Sequence, residues 1–361
     1  MPYYPDLEFC IKLGNVIGYH PFKGFTKMQV LRYAISWLLL PFPPFLTIMK
    51  LCTESEITVP RFIGVSLNIT VYFHGLFRNS VLFFARRQMK SLIETTKHFW
   101  ALEDYDIVVR RTRRGRILHT FFMCSFIMSG SVKRHLNPQA TGLYFPQWAP
   151  KHLLMLVQDI ATQWEILGFI SSDILFRTLI IQLTLQLKMI SQRLLKLYSD
   201  EHDEKMIQNK LRECIEHYVV LIRYAEDINK LYSKIFVVSF SCLTFSCTVS
   251  LYMIMRNHDP KIIVEGMLHI ILSLYMISFC YCVPAQAMTN EIANVSTSAY
   301  FSNWQNYSKN TKDIILVILA AQTRFEISAG GIVPVNVETL LSACQSMISY
   351  CMFLRTVDSE D

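Results

Sequence analysis

The sequence predicts an all-α membrane protein with seven transmembrane helices, a cytoplasmic N-terminus and an extracellular C-terminus, in which the seventh helix is broken into a cytoplasmic half and a membrane half. Of the 361 residues, 52% are hydrophobic and 17% are charged, and the mean hydropathy is +0.29. Ordinary soluble chains and disordered chains do not have this composition. The apolar residues fall into runs long enough to cross a bilayer, and the basic residues are distributed unevenly between those runs.

Seven apolar runs are long enough to be membrane spans. They lie at Leu31–Leu51, Phe62–Phe84, Ile117–Val132, Leu154–Leu187, Ile235–Met255, Met267–Met288 and Ile332–Leu354. The third run is short, and the fourth is interrupted by Asp159, Glu165, Asp173 and Arg177. Apolar residues recur at three- and four-residue steps beyond the fourth run and before the fifth, which predicts helices that extend well past the membrane and pack together.

The basic residues predict the orientation of the spans. Nine of them, from Arg86 to Arg116, crowd the connection between the second and third runs. Lysine and arginine accumulate in cytoplasmic connections, so the N-terminus is expected in the cytoplasm and the C-terminus outside. Within this connection Met89, Leu92 and Ile93 share one helical face, which fits either a helix in the headgroup plane or a solvated connector helix.

The last helix is predicted to be interrupted. An apolar run from Asp313 to Gln322 is too short to span, whereas the run from Ile332 to Leu354 is long enough. The pair Gly330-Gly331 lies between them and marks the break. The second run also contains several polar residues, which suit a pore wall better than a lipid-facing helix. These are Asn336, Glu338, Thr339, Ser342, Ser346, Ser349 and, just beyond it, Thr356.

No pattern in the sequence indicates catalysis, a metal, a cofactor or nucleic acid binding. Most of the ten cysteines lie in apolar runs, and Cys280 and Cys282 have no second pair of ligands at metal-binding spacing, so we interpret them as buried thiols. His74, His269 and Glu265 could form an intramembrane acid–base set, but isolated polar residues on different spans are more typical of structural partners. We therefore predict a protein that is not an enzyme.

An ordered set of motifs in the last 60 or so residues resembles the signature of insect odorant receptors. The motifs are Ser298–Trp304, Ala320–Gln322, Ala329–Gly330, Val337–Leu341 and Ser349–Tyr350. The chain departs from the common pattern at Thr323-Arg324, Leu340 and Cys351. Its length, its seven spans and its orientation agree with that family over the whole chain.

The resemblance implies an odorant receptor subunit of a heterotetrameric, ligand-gated, non-selective cation channel in the plasma membrane of sensory neurons. Its expected partners are an odorant co-receptor subunit, a small volatile ligand and membrane lipids. The co-receptor has a longer insertion between spans four and five, so this chain resembles the odorant-binding tuning subunit. A gustatory-type channel remains an alternative, and a seven-helix G-protein-coupled receptor is a more distant one.

The resemblance also divides the chain into three parts. Residues 1–180 would form spans one to four, with the ligand-binding bundle in their outer half. Residues 181–322 would form the cytoplasmic anchor extensions, spans five and six and the first half of helix seven. Residues 323–361 would form the pore-lining second half and a short extracellular tail.

Ligand-binding and gating residues follow from the same resemblance. The ligand site is expected to be an apolar and aromatic cavity, which suits a small volatile molecule. Its expected residues are Ile69, Tyr72, Phe73, Ser125, Met128, Ser129, Gln163, Trp164, Leu167, Met267, Ile271 and Tyr275. The expected gate is Phe353 and Val357, one turn apart, with Thr356 as a polar lining residue.

Overall fold

The computed structural model is almost entirely helical and describes residues 5–53, 59–102, 105–136, 150–198, 203–256, 259–306, 311–322 and 325–360. The first six α-helices of this part of the chain are α1 (Pro5–Ile17), α2 (Lys27–Leu39), α3 (Phe42–Thr53), α4 (Val59–Phe84), α5 (Arg86–Thr95) and α6 (Tyr105–Leu136). The others are α7 (Lys151–Lys196), α8 (Glu204–Arg256), α9 (Pro260–Tyr275), α10 (Val283–Tyr300), α11 (Thr311–Gln322) and α12 (Val337–Glu360).

Three other segments complete the described secondary structure. A π-helical segment at Met276–Cys282 joins α9 to α10, and short 3₁₀ turns occur at Thr96–His98 and Trp304–Asn306. The strands β1 (Ser328–Ala329) and β2 (Val333–Pro334) form an antiparallel hairpin between α11 and α12.

Each predicted span overlaps described helices, although the first is divided between α2 and α3 and the sixth is covered by α9, the π-helical segment and α10. By length and composition, four stretches of the described residues could cross a membrane: Lys27–Thr53, Lys151–Lys196, Glu204–Arg256 and Ile262–Tyr300. The second, third and seventh predicted spans overlap α4, α6 and α12. At about 1.5 Å per residue, the 46 residues of α7 and the 53 of α8 extend about 69 and 80 Å, so both helices continue far beyond a bilayer of about 30 Å.

The extended parts of α7 and α8 contribute to the apolar core of the described residues, as the periodicity predicted. On the part of α7 beyond the predicted span, Ile190 and Leu194 are 1% exposed. On α8, Ile207 and Leu211 belong to the same cluster of buried side chains. The other members of this core include residues of α1, α4, α5, α6, α10, α11, the π-helical segment and the hairpin region.

Helix α5 packs against protein. Met89, Leu92 and Ile93 are at most 2% exposed and belong to the central core. This burial favours the connector-helix interpretation and excludes a helix whose apolar face lies in the headgroup plane, because that face is covered by the bundle.

The N-terminal helix is fixed to the bundle by one ion pair and by burial. Arg116 Nε on α6 lies 3.2 Å from Asp6 Oδ1 on α1. Leu7 and Ile17 on α1 are fully buried, and Ser171 on α7 donates a hydrogen bond to the carbonyl of Cys10. Helix α1 thereby closes one side of the bundle.

The break in the last helix is a hairpin rather than a simple kink. Gly330 and Gly331 adopt φ angles of +65° and +75°, which side chains other than glycine rarely tolerate. Asn229 on α8 binds the hairpin: its Oδ1 accepts a hydrogen bond from Ser328 N at 2.9 Å.

The predicted start of the seventh span at Ile332 is wrong by five residues. Ile332 is 86% exposed in the hairpin turn, and α12 begins at Val337. Asn336, which the sequence suggested as a pore-lining residue, is the N-cap: its Oδ1 accepts a hydrogen bond from Thr339 N at 2.8 Å. A helix start is set by this capping bond, which a hydropathy run does not reveal.

A stacked polar group lies where α7 and α8 extend past the predicted spans. The rings of Trp100 and His217 stack at 4.0 Å, and the Arg193 guanidinium lies over the Trp100 ring, 3.8 Å from its centroid. His217 Nε2 donates to Gln186 Oε1 at 2.9 Å, and Gln186 Nε2 in turn donates to the Trp100 carbonyl. Burial, followed by repulsion from Arg193, lowers the pKa of His217 from 6.5 to about 4.

This pKa shift predicts an acid-sensitive contact. The folded protein holds His217 neutral, whereas the unfolded chain binds a proton near the ordinary pKa, so the stabilising contribution is complete above about pH 6.5 and is lost as the pH falls towards 4. We expect His217→Gln, which keeps a neutral donor, to flatten the fall in melting temperature between about pH 7 and about pH 5. Thermal unfolding of purified protein measures this, and identical slopes for the two proteins would contradict it.

Candidate functional site

A buried ion pair lies at the centre of the bundle. Arg78 on α4 is fully buried and pairs through Nη1 with Oδ1 of Asp173 on α7, which is 1% exposed. Burying two such charges is costly unless each is paired and hydrogen-bonded. The surrounding helices supply those further partners.

Hydroxyl and imidazole groups from three more positions complete the network. Arg78 Nη2 donates to Tyr281 Oη at 2.6 Å and to Ser239 Oγ at 3.0 Å. Tyr281 donates in turn to Asp173 Oδ1 at 2.6 Å, and His74 Nε2 lies 2.7 Å from Ser239 Oγ. The network therefore joins α4, α7, α8 and the π-helical segment. Of the acid–base set considered from the sequence, His74 is placed here as a structural partner.

The π-helical segment brings Tyr281 into this network. The wider turn is visible in the hydrogen bond from Val283 N to the Ser278 carbonyl, five residues earlier. Pro284 has no backbone N–H, so it cannot bond to the carbonyl of Cys280 four residues earlier, which favours a local departure from α-helical geometry. The wider turn changes which side chains face the interior. Three consecutive side chains, Cys280, Tyr281 and Cys282, are buried.

His119 and Cys280 lie on the other side of Asp173. His119 Nδ1 on α6 is 3.5 Å from Cys280 Sγ, and His119 Nε2 is 3.6 Å from Asp173 Oδ2. All three side chains are at most 2% exposed. His119 Nε2 and Asp173 Oδ2 are buried and have no hydrogen-bond partner among the described residues. The ion pair and this trio thus form one continuous polar layer through five of the helical elements.

The residues expected at the ligand site fall into two groups. On one side, Tyr72 Oη lies 2.9 Å from Thr162 Oγ1, and Trp164 Nε1 donates to Ser36 Oγ at 2.8 Å. On the other side, the Tyr275 ring lies 5.1 Å from Phe122 on α6 and stacks at 6.2 Å on His119. Tyr72 thus contacts α7, Trp164 contacts α2, and Tyr275 contacts α6.

The other expected ligand residues vary in burial. Ile69 and Leu167 are half-buried, and Leu167 packs against the core. Five are exposed, namely Phe73, Ser125, Gln163, Met267 and Ile271. The side chains of Met128 and Ser129 lie outside the described residues. The structure therefore does not gather the twelve residues around one described cavity, and their role stays a prediction.

Helix α12 presents one buried face and one exposed face. Met347 and Cys351 are buried against α8, and Cys351 Sγ lies 3.3 Å from Met255 Sδ. The opposite face, read at three- and four-residue steps, is exposed and mostly polar. It consists of Glu338, Ser342, Gln345, Ser349, Phe353 and Thr356.

The expected gate residues lie at the end of this exposed face. Phe353 is 66% exposed, and Thr356 bonds through its hydroxyl to the Met352 carbonyl. The side chain of Val357 lies outside the described residues. Phe353 and Thr356 share a face with the polar stripe, as a lining role requires.

Sequence reasoning did not identify Arg78, Ser239 and Tyr281 as site residues. A signal was present, because Arg78 and Asp173 are opposite charges inside two predicted spans, and such residues commonly pair. Ser239 and Tyr281 are ordinary span residues, and only the packing of the helices selects them.

The sequence is similar to those of known receptors. The family model described as 7tm Odorant receptor matches residues 59–348. The chain is similar to Odorant receptor 10 of Aedes albopictus, with 25% identity over 80% of this chain and 82% of that protein. It is also similar to Odorant receptor Or2 of Anopheles gambiae, with 22% identity over the same shares.

The same architecture has been solved before. The olfactory receptor OR5 of Machilis hrabei, determined in complex with eugenol, superposes with a TM-score of 0.81 at 16% identity over 97% of each chain. A second structure of the same receptor superposes with a TM-score of 0.76 at 16% identity, over 97% of this chain and 98% of that chain. At this identity the likeness concerns the fold.

Removing one partner of the central ion pair is expected to be strongly destabilising. Asp173→Asn leaves the buried Arg78 guanidinium without its counter-charge, which costs about 3–5 kcal/mol. The double variant Arg78→Met/Asp173→Leu removes both charges and should recover most of the loss. Thermal unfolding and surface expression measure both effects.

Glu165→Gln provides the matched control. Glu165 is another buried carboxyl on α7, and it forms no ion pair with the described residues. Its replacement should cost much less than Asp173→Asn. Equal losses for the two single variants would show that the ion pair has no special importance.

Proposed function

Because the chain belongs to the insect odorant receptor family, we propose that it is the odorant-binding subunit of a heterotetrameric, ligand-gated, non-selective cation channel. The other subunit would be the odorant co-receptor, and the assembly would lie in the plasma membrane of sensory neurons. The N-terminus would be cytoplasmic and the C-terminus extracellular.

The exposed polar stripe of α12 is the observation that carries the channel proposal. A single chain covers only one face of this helix, through α8, and leaves Ser342, Gln345 and Ser349 uncovered. Serine and glutamine side chains on a helix of spanning length are poor partners for lipid. They suit a water-filled pore formed where several copies of α12 meet.

The gate is proposed at Phe353 and Val357. An apolar ring closes a pore because water leaves a narrow hydrophobic constriction, and ions then lose their hydration. Phe353 lies at the end of the polar stripe and is exposed in the single chain. Thr356 would face the same pore beside it.

The ligand is proposed to bind in the outer half of the bundle, close to Tyr72, Trp164 and Tyr275. Aromatic side chains with a few polar atoms suit a small volatile molecule, which gains affinity mainly from burial of its own surface. The solved relative was determined in complex with eugenol, which supports a small organic ligand for this fold. Binding opens the channel only if the ligand prefers the open state.

Electrophysiology tests the function. Oocytes that express this chain with the co-receptor should give inward current on exposure to an active volatile compound, and oocytes that express this chain alone should give none. Current from the chain alone would instead favour a gustatory-type homomeric channel. No response over a broad volatile panel, with surface expression verified, would contradict the proposal.

Phe353→Ala tests the gate. If the ring stabilises the closed pore by about 1.5–3 kcal/mol through burial, its truncation should raise the basal current about tenfold or more. Ile348→Ala is the control, since Ile348 is also exposed but lies about 140° away from Phe353 around α12. Equal basal currents in the two variants would place the constriction elsewhere on the helix.

A further inference from the structure

Three side chains of different metal-ligating types converge beside the central ion pair. They are His119 on α6, Asp173 on α7 and Cys280 on the π-helical segment, and one donor atom from each lies within 4.8 Å of the others. All three side chains are buried. From the sequence, Cys280 is interpreted as a buried thiol because no partner ligands lie at metal-binding spacing in the chain; the other two members come from α6 and α7.

The distances between the donors suit a single ion. His119 Nδ1 lies 3.5 Å from Cys280 Sγ, and His119 Nε2, on the other side of the imidazole ring, lies 3.6 Å from Asp173 Oδ2. Tetrahedral zinc, with bonds of about 2.0–2.3 Å, places its ligands about 3.3–3.8 Å apart. Because these separations involve different nitrogens, the imidazole must turn to present one nitrogen to an ion that the thiolate and the carboxylate share; one donor atom of each residue already lies within 4.8 Å of the others.

Two of the donor atoms lack other partners. His119 Nε2 and Asp173 Oδ2 are buried without a hydrogen bond among the described residues, and each such atom typically costs about 1–3 kcal/mol. Arg78 and Tyr281 occupy only Oδ1 of the carboxylate. They hold Asp173 in a fixed orientation with Oδ2 directed towards His119, as partners of a metal ligand commonly do.

The charges around the site favour a divalent ion that binds a thiolate over one that does not. Arg78 already neutralises Asp173, so an ion that carries two charges would leave an excess. Loss of the Cys280 proton on binding, which metals promote, removes one of these charges. A mixed nitrogen, oxygen and sulfur donor set suits zinc better than magnesium or calcium, which prefer oxygen.

We propose that His119, Asp173 and Cys280 bind a zinc-class divalent cation that ties α6, α7 and the π-helical segment together next to Tyr275. Three protein ligands leave a fourth position for water. This site is independent of the proposed channel activity, because it rests on the donor geometry alone.

Cobalt uptake by the purified full-length receptor in detergent tests the proposal. After treatment with a chelator, the protein should bind about one Co²⁺ per chain and show thiolate-to-cobalt charge-transfer absorption. Cys280→Ser should lose this absorption and weaken binding at least about tenfold. Cys282→Ser is the matched control, since this buried cysteine lies two residues away and outside the trio, and it should retain both.

A second measurement distinguishes loss of the metal site from misfolding of a variant. Zn²⁺ in excess should raise the melting temperature of the wild type and of Cys282→Ser, but not that of His119→Gln. Absence of thiolate absorption in the wild type, or equal uptake by Cys280→Ser and the wild type, would overturn the proposal. Neither readout uses channel current, so such a failure would leave the proposed function intact.

Discussion

The ion pair between Arg78 and Asp173 is the interaction on which the arrangement of the helices depends. Two buried charges in an apolar bundle are tolerated only where each finds its full set of partners. Here those partners are Tyr281 and Ser239, which come from elements separated by long stretches of sequence. Rotating any of the four helical elements about its axis would remove one partner, so the ion pair specifies the rotation of all of them at once.

Helix α8 connects this polar layer to the other regions of interest. Ser239 contacts Arg78, the Ser233 carbonyl accepts a hydrogen bond from Gly330 N in the hairpin, and Met255 contacts Cys351 on α12. A single unbroken helix therefore touches the ion pair, the break before α12 and the far end of α12. In the proposed channel, a ligand that displaced α4 or α9 would act on α12 mainly through this helix.

The sequence predicted the positions of the helices because hydropathy measures which residues can contact lipid. It placed the ends poorly for the same reason: α6 begins at Tyr105, twelve residues before the predicted third span, since a helix continues into water wherever one face still packs on protein. The glycine pair predicted the break at Gly330-Gly331 correctly, because a positive φ is a local property of the chain. The contact between Arg78 and Asp173 joins residues 95 positions apart, and the π-helical segment changes which side chains face inward. Neither follows from periodicity.

In the proposed channel, the two faces of α12 suit assembly with other copies of this helix. Its buried face is narrow, and its exposed face combines Ser342, Gln345 and Ser349 with large apolar side chains such as Tyr350 and Phe353. Lipid would suit the apolar residues but leave the polar ones unsatisfied, whereas water would do the reverse. Only an environment that is protein on one side and water on the other suits both. A ring of such helices around a pore provides that environment, and the contact of Asn229 with the hairpin fixes the end of α12 from which each helix would tilt.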